Sequence, residues 1–442
     1  MTDTGPSPDG ALVVDGGVPL RGEVRVPGDK GLAHRALFLA ALAQGPVHLA
    51  AVPAGADVAA TRALLQACGV PVTTGAAGTV RAAGACGRLQ EPEGILDCAN
   101  SGTTMRLGAG LLAAAGPGIG GDGRFAVLDG DSSLRRRPMG RVVEPLRAMG
   151  ARIDGRAGGR LAPLALRAAP LHGARHRLEV PSGQVKTALL LAGLQADGVT
   201  EVEEPAPSRD HTERMLGALG LPVERPAPGR VRIRAAPVPG FDLTLAGDPS
   251  SAAFWVVAAT IVPGSALRLP EVLANPGRLA YLEVLGAMGA DITVEPAGER
   301  LGEPVATLSV RAAALVGTEV TVTEPMIDEV PVLAVAAAFA SGTTTFRGAA
   351  ELAVKESDRL ATTAAMLAAL GVEVERDAER LVVHGGRPRP ARLDAAGDHR
   401  IALAAAVAGL ALDGRSVVMG WDAHRVSYPG FTDALDALRG GS

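Results

Sequence analysis

"PGDKGLAHRALFLAALA", residues 27–43, joins two unlike pieces. Its first part is polar and carries Asp29, Lys30, His34 and Arg35. From Ala36 onward every residue is apolar. Asp is a favoured helix N-cap, and a helix that is apolar all round is one buried on every face. The stretch therefore predicts a helix that starts at a charged motif and runs into a core. What it means for the fold depends on how often the pattern recurs.

It occurs six times. The later copies open with "ANSGTTMR" (from Ala99), "PSGQVKT" (from Pro181), "GDPSSAAF" (from Gly247), "IDEVPVL" (from Ile327) and "GDHRIAL" (from Gly397). Each is followed by an apolar helix, strands such as the alternating "GEVRVPG", and a second helix. Those second helices close on turns such as "LRAMGARI", "LGALGLPV" and "LAALGVEV". The spacing exceeds that of the common solenoid repeats. Each copy reads as a small βαβαββ unit, one sheet face wet and the other against helices. At 442 residues the chain is too long for one core, so six units divide into two domains of three. Pro and Gly cluster at residues 236–248, "APVPGFDLTLAGD", which reads as a crossing between domains. A helix N-terminus is an anion site. Three of them around a pseudo-threefold axis in each domain would suit a doubly anionic substrate.

Composition narrows the function. The net charge is −4 and the pI near 6.1, which gives no footprint for nucleic acid. Aromatic residues are 2% of the chain, too few for base stacking. Cys68, Cys86 and Cys98 have no metal-ligand spacing, and their odd number suits a reduced, cytoplasmic protein. The first ten residues, "MTDTGPSPDG", lack the features of a signal peptide, and no apolar run is long enough to span a bilayer. There is no HExxH, Walker or dinucleotide motif, so neither a metal nor a cofactor is expected.

Of 43 basic residues only Lys30, Lys186 and Lys355 are lysine; the other 40 are arginine. A chain so biased to arginine keeps lysine where a compact point charge is needed and a planar fork does not fit. The cations gather in the motifs: Lys30, Arg35, Arg106, Arg137, Lys186, Arg209, Lys355, Arg359 and Arg400. Two acids accompany them. Asp328 precedes an apolar helix and reads as an N-cap or an active acid. Glu356 lies in "VKESDR", where a helix would put Lys355 and Arg359 on one face at i, i+4. Such an inventory suits general acid–base and electrostatic catalysis on phosphorylated, carboxylated small molecules. It does not name the reaction.

Ten ordered motifs do more: "PGDKGLAHRALFLAALA", "NSGTTMRL", "GDSSLRRRPMGRVVEPL", "SGQVKTALLLAGL", "PSRDHTERML", "GDPSSAAF", "IDEVPVLAVAAAFASGTT", "VKESDRL", "GDHRIALA" and "SYPGF". Together they resemble the EPSP synthase family, and its glyphosate-insensitive bacterial class more than the enteric or plant class. The resemblance spans about Pro27 to Phe431. It implies a two-domain inside-out α/β barrel, with residues 28–245 forming an N-terminal, acceptor-side domain. Residues 1–27 and 246–442 would form a C-terminal domain carrying the catalytic acid and base. The implied reaction moves the enolpyruvyl group of phosphoenolpyruvate to the 5-hydroxyl of shikimate 3-phosphate by addition and elimination. The protein is expected to be a cytoplasmic monomer whose partners are those two small molecules.

The resemblance also implies roles. Asp328 matches the base, Glu356 the acid, and Lys30 the lysine that bridges both substrates. Gly102, Arg137, Gln184, Arg359 and Arg400 match the phosphoenolpyruvate site. Gly31, Arg35, Ser182, Gly183, Gln184, Arg209, Asp328 and Lys355 match the acceptor site. There are departures. Gly31 stands where Ser or Thr is usual, Val426 where enteric relatives carry lysine, and "NPGR" (275–278) where a Thr-containing version is usual. Gly31 keeps open a paralogous enolpyruvyltransferase with another acceptor in a secondary pathway. A non-catalytic binding or scaffold protein that retains the fold also stays open. The UDP-N-acetylglucosamine enolpyruvyltransferases carry a Cys before their "RP" motif, and "DGDSSLRRRP" has none.

Overall fold

A computed structural model describes residues 10–114 and 123–440. The N-terminal stretch read above for a signal peptide lies almost wholly outside the described residues. The chain divides into two compact units. One consists of Gly28–Leu245 with Glu299–Glu303; the other of Met1–Pro27, Ala246–Gly298 and Pro304–Ser442.

In the unit built on Gly28–Leu245, the helices are α1 (Lys30–Leu42), α2 (Ala56–Ala67), α3 (Gly102–Leu112), α4 (Gly140–Ala148), α5 (Gly183–Gly193) and α6 (His211–Ala218). Helices α1, α3 and α5 pack on one another. Every residue of α1 from Leu32 to Leu42 is buried, as the apolar run of the opening motif requires. Three four-stranded sheets wrap these helices. Each sheet has one parallel and two antiparallel pairings, the signature of a βαβαββ unit. In the third, Arg175–Arg177 runs parallel to Val199–Glu203, and Arg230–Arg234 pairs antiparallel to it and to Val223–Ala227. Leu161–Arg167 buries alternate residues, which places one sheet face on the helices and the other outward. The first sheet is completed by Phe241–Thr244, parallel to Val47–Ala50.

The other unit repeats the plan with α7 (Pro249–Ile261), α8 (Ala280–Ala287), α9 (Val330–Ala338), α10 (Arg359–Ala369), α11 (His399–Leu410) and α12 (Phe431–Gly440). Helices α7, α9 and α11 are buried along their whole length and pack on one another. Two sheets have four strands and one has three. The three-stranded sheet borrows Leu12–Asp15, which pairs antiparallel to Arg415–Met419. Each unit is thus an inside-out α/β barrel, helices within and sheets without. Trp255, in the middle of α7, stacks on Phe431 and lies edge-on to Tyr428. Among the described residues no helix is long and apolar enough to cross a membrane.

Helix starts fall where the motifs sit. Asp29, Ser101, Ser182, Asp248 and Asp398 cap α1, α3, α5, α7 and α11, each side chain accepting a backbone N–H of the first turn. Helix α9 is the exception, for its N-cap Glu329 makes no such bond. The N-cap position of α9 is thus Glu329 and not Asp328. One local expectation fails: Lys355 and Arg359 do not share a helix face. Ala350–Val354 is a short 3₁₀ turn, Lys355 leaves it in extended conformation, and Asp358 caps α10 so that the helix begins at Arg359.

Candidate active site

In the unit built on Gly28–Leu245, the predicted residues gather at the N-termini of α1, α3 and α5. Lys30 Nζ lies 3.0 Å from Asp57 Oδ2. The Asp57 carbonyl accepts from Thr104 Oγ1, which also meets Ser101 Oγ at 2.8 Å. Arg35 is buried and acts as a clamp. It donates to the Gly31 carbonyl at 2.9 Å, to Thr212 Oγ1 at 3.0 Å and to the Gly183 carbonyl at 3.3 Å. Gln184 accepts from Arg106 Nη1 at 2.5 Å and donates to Thr103 Oγ1 at 2.9 Å. Arg137 donates to Asn100 Oδ1. A Cβ built on Gly102 would lie 3.0 Å from Arg106 Nη1 and 3.4 Å from Arg137 Nη1, so glycine here lets both guanidiniums approach the start of α3. A Cβ on Gly183 would lie 3.2 Å from the Arg209 carbonyl, which puts Arg209 beside the start of α5. Lys30, Gly31, Arg35, Gly102, Arg137, Ser182, Gly183, Gln184 and Arg209 thus form one connected patch of cations and helix N-termini, suited to anions.

A neutral relay supports that patch from below. His34 Nδ1 meets Thr61 Oγ1 at 2.7 Å, and Thr61 meets Thr104 Oγ1 at 2.7 Å, tying α1 to α2 and α3. Burial pushes the His34 pKa down to about 3; Asp57 opposes this, and Lys30 and Arg35 add to it. The unfolded chain, with His near 6.5, binds this proton more readily than the folded one. Stability from His34 is therefore intact above about pH 6.5 and falls by up to about 1.4 kcal/mol per pH unit as pH drops toward 3. Unfolding free energies of wild type and His34→Asn should draw together as pH falls from 7 to 5, wild type losing about 2 kcal/mol more than the variant over that range.

The other unit brings Asp328, Glu356, Arg359 and Arg400 together. Arg359 is fully buried. Its guanidinium meets Asp328 Oδ1 at 3.0 Å, Glu356 Oε2 at 2.6 Å and Asp398 Oδ2 at 2.8 Å. Burial alone would lower its pKa, but Glu356, Asp398 and Asp328 outweigh it and hold Arg359 further into its charged form. Arg400 Nη2 lies 3.6 Å from Asp328 Oδ2, and its Nη1 donates to the Asp328 carbonyl at 3.1 Å. Two guanidiniums thus bracket Asp328. Lys355 neighbours Glu356 in the chain, is half-buried, and has no ion pair among the described residues.

Sequence reasoning missed several members. Asp398 stands in the same "GDHR" motif as Arg400, and its cap position was the available signal. Asp57 and Asn100 lie outside any charged run. Glu329 Oε1 accepts from Ser250 Oγ and lies 3.8 Å from Arg400 Nη1. Ser250 also meets Arg278, which pairs with Asp248 at 3.0 Å. "NPGR" thereby acquires a reason: Asn275 caps the 3₁₀ turn Pro276–Arg278, aiming Arg278 at the cap of α7. Nothing in the structure explains Val426.

Comparison with known proteins bears on the whole chain. Residues 14–435 match the family model described as EPSP synthase (3-phosphoshikimate 1-carboxyvinyltransferase). A 3-phosphoshikimate 1-carboxyvinyltransferase of Thermus thermophilus is 52% identical over 422 residues, covering 94% of this chain and 96% of that protein. One from a Synechococcus species is 49% identical over 425 residues, covering 95% and 94%. The solved EPSP synthase of Acinetobacter baumannii superposes with a TM-score of 0.85 at 35% identity, covering 97% of this chain and 98% of that one. The enolpyruvyl transferase NikO of Streptomyces tendae gives 0.75 at 21% identity, covering 97% of each. That last likeness speaks to the fold alone.

Proposed function

The chain belongs to the EPSP synthase family, and on that premise we propose that it moves the enolpyruvyl group of phosphoenolpyruvate to the 5-hydroxyl of shikimate 3-phosphate, releasing phosphate. In this reading Ser182, Gly183, Gln184 and Arg209 hold the acceptor's phosphate, while Arg35, beside Gly31, faces its carboxylate. Lys30 spans both substrates. Gly102, Arg137, Gln184, Arg359 and Arg400 hold the phosphate and carboxylate of phosphoenolpyruvate. Asp328 takes the proton of the 5-hydroxyl as that oxygen attacks C2 of phosphoenolpyruvate. Glu356, once the donor's anions have displaced Arg359 from it and it has taken up a proton from solvent, gives that proton to the methylene carbon, with Lys355 beside it. The resulting tetrahedral adduct loses phosphate and a methyl proton to leave the enolpyruvyl ether.

The observation that carries this reading is the arrangement about Arg359. Asp328 and Glu356 both bond to a guanidinium that, in this reading, the donor's anionic groups also need. A phosphoenolpyruvate dianion or trianion competes for those N–H groups, so its arrival frees the base and the acid together. The protein, given phosphoenolpyruvate and either shikimate 3-phosphate or shikimate, is expected to release inorganic phosphate fast only with the phosphorylated acceptor. Release with neither acceptor would refute the proposal.

Gly31 bears on acceptor affinity. A Cβ there would lie 3.0 Å from Asp29 Oδ1 and 3.3 Å from Arg35 Nη1. A serine fits if those atoms yield by a few tenths of an ångström, and its hydroxyl adds a donor toward the acceptor's carboxylate. Hydrogen bonds to charged groups contribute about 1.5–3 kcal/mol; crowding takes back part of that. Gly31→Ser should lower the KM for shikimate 3-phosphate by up to about tenfold. An unchanged or raised KM in steady-state assays would mean that the pocket is already complete.

A further inference from the structure

Lys186 is assigned to neither substrate in the reading above, yet it resists the chain's bias to arginine. It lies one turn into α5 with its side chain 4% exposed. Its ammonium sits 2.7 Å from Glu204 Oε2 and 2.8 Å from Glu213 Oε1, both carboxylates being as deeply buried. Burial works against the charge on Lys186, but Glu213 and Glu204 outweigh it and raise its pKa. The two carboxylates hold the ammonium between them as a compact point charge.

The remaining bonds of Glu204 are what give the cluster a direction. Oε1 accepts from the Ser182 backbone N–H at 2.9 Å and from Ser208 Oγ at 2.6 Å. Oε2 accepts from the Ser208 backbone N–H at 3.3 Å. One carboxylate therefore ties the residue that caps α5 to the residue that precedes Arg209. Ser182 Oγ accepts from Val185 N–H at 3.3 Å, which leaves its hydroxyl proton to point away from the helix. The two tied segments already touch at Gly183, so a small shift of either changes their spacing. Burying an ion cluster adds little net stability compared with an apolar filling; fixing that spacing is what it supplies here.

We propose that Glu204, held in place by Lys186, is a positioning residue that sets the distance between Ser182 and Arg209 and so tunes the pocket for the acceptor's phosphate. The proposal rests on the reading of Ser182 and Arg209 given above. Glu204→Gln is the main test. It keeps the volume, leaves Lys186 paired with Glu213, and makes the cluster neutral, so the fold is retained. Its amide must turn an NH₂ toward either Ser182 N–H or the Lys186 ammonium, a donor against a donor.

Loss of a charge-assisted bond of this kind should raise the KM for shikimate 3-phosphate by about tenfold or more. The KM for phosphoenolpyruvate and kcat at saturating acceptor should stay within about twofold. The melting-temperature rise given by shikimate 3-phosphate should shrink toward that given by shikimate. Glu213→Gln touches neither Ser182 nor Ser208 and should leave the acceptor KM within about threefold of wild type. An unchanged acceptor KM in Glu204→Gln, a parallel loss in kcat and both KM values, or an equal rise in Glu213→Gln overturns the proposal. Ser182→Ala separates the two layers. If it leaves the acceptor KM unchanged, the pocket assignment fails and takes the proposal with it. If it raises that KM while Glu204→Gln does not, only the proposal falls.

Discussion

Asp328→Asn is expected to lower kcat by about 100- to 10,000-fold, the usual weight of a positioned general base, with KM for phosphoenolpyruvate nearly unchanged. The expectation comes from what Asp328 does not do. It precedes α9 but does not cap it; its oxygens face Arg359 and Arg400 instead. Asn keeps the size and the acceptor oxygen, and Arg359 keeps Glu356 and Asp398. The variant should therefore melt within a few degrees of wild type. Steady-state phosphate release and a thermal melt check both halves. Near-normal kcat would remove Asp328 from the proton transfer.

Arg359→Met should have the larger effect on stability. Arg359 touches Asp328, Glu356 and Asp398 together. Asp398 is wholly buried and also caps α11, so losing the guanidinium strands a buried charge. Removing one partner of a buried pair costs about 3–5 kcal/mol. For a unit of this size that corresponds to a fall in Tm on the order of 10 °C. Activity should fall at least as far as for loss of one transition-state donor, about 100- to 1,000-fold. Arg359→Lys keeps a charge but only one point of contact; it should recover part of the Tm and little of the activity. Differential scanning calorimetry beside the phosphate assay tests both. A melt unchanged in the Met variant would show that the carboxylates find other partners.

Much of this was legible in the sequence because it is local. Asp29, Ser101, Ser182, Asp248 and Asp398 each stand in a short polar motif that leads into an apolar helix, and capping couples side chain to backbone within three residues. Repetition of that signal gave six helix starts, and six starts with two cores gave the architecture. What was hidden is pairing over distance. Asp398 meets Arg359 from 39 residues away and Ser250 meets Glu329 from 79; no periodicity encodes such contacts. Lys355 misled for a local reason. Charge spacing suggested one helix from Lys355 to Arg359, but Asp358 is the better cap, and the helix starts only after it. The sixth sheet draws Leu12–Asp15 from far along the chain, which a search for contiguous units passes over.

At the centre of the proposed chemistry, a proton is given to the methylene of phosphoenolpyruvate and another is taken from the acceptor's hydroxyl. Proton NMR of the protein with both substrates in deuterium oxide reads this directly. Phosphate should appear together with an enolpyruvyl ether of shikimate 3-phosphate whose vinyl position carries deuterium, because the methyl group of the adduct gives up any of its hydrogens. Phosphoenolpyruvate that stays intact beside shikimate 3-phosphate, or an ether formed with no deuterium at that position, would contradict the account.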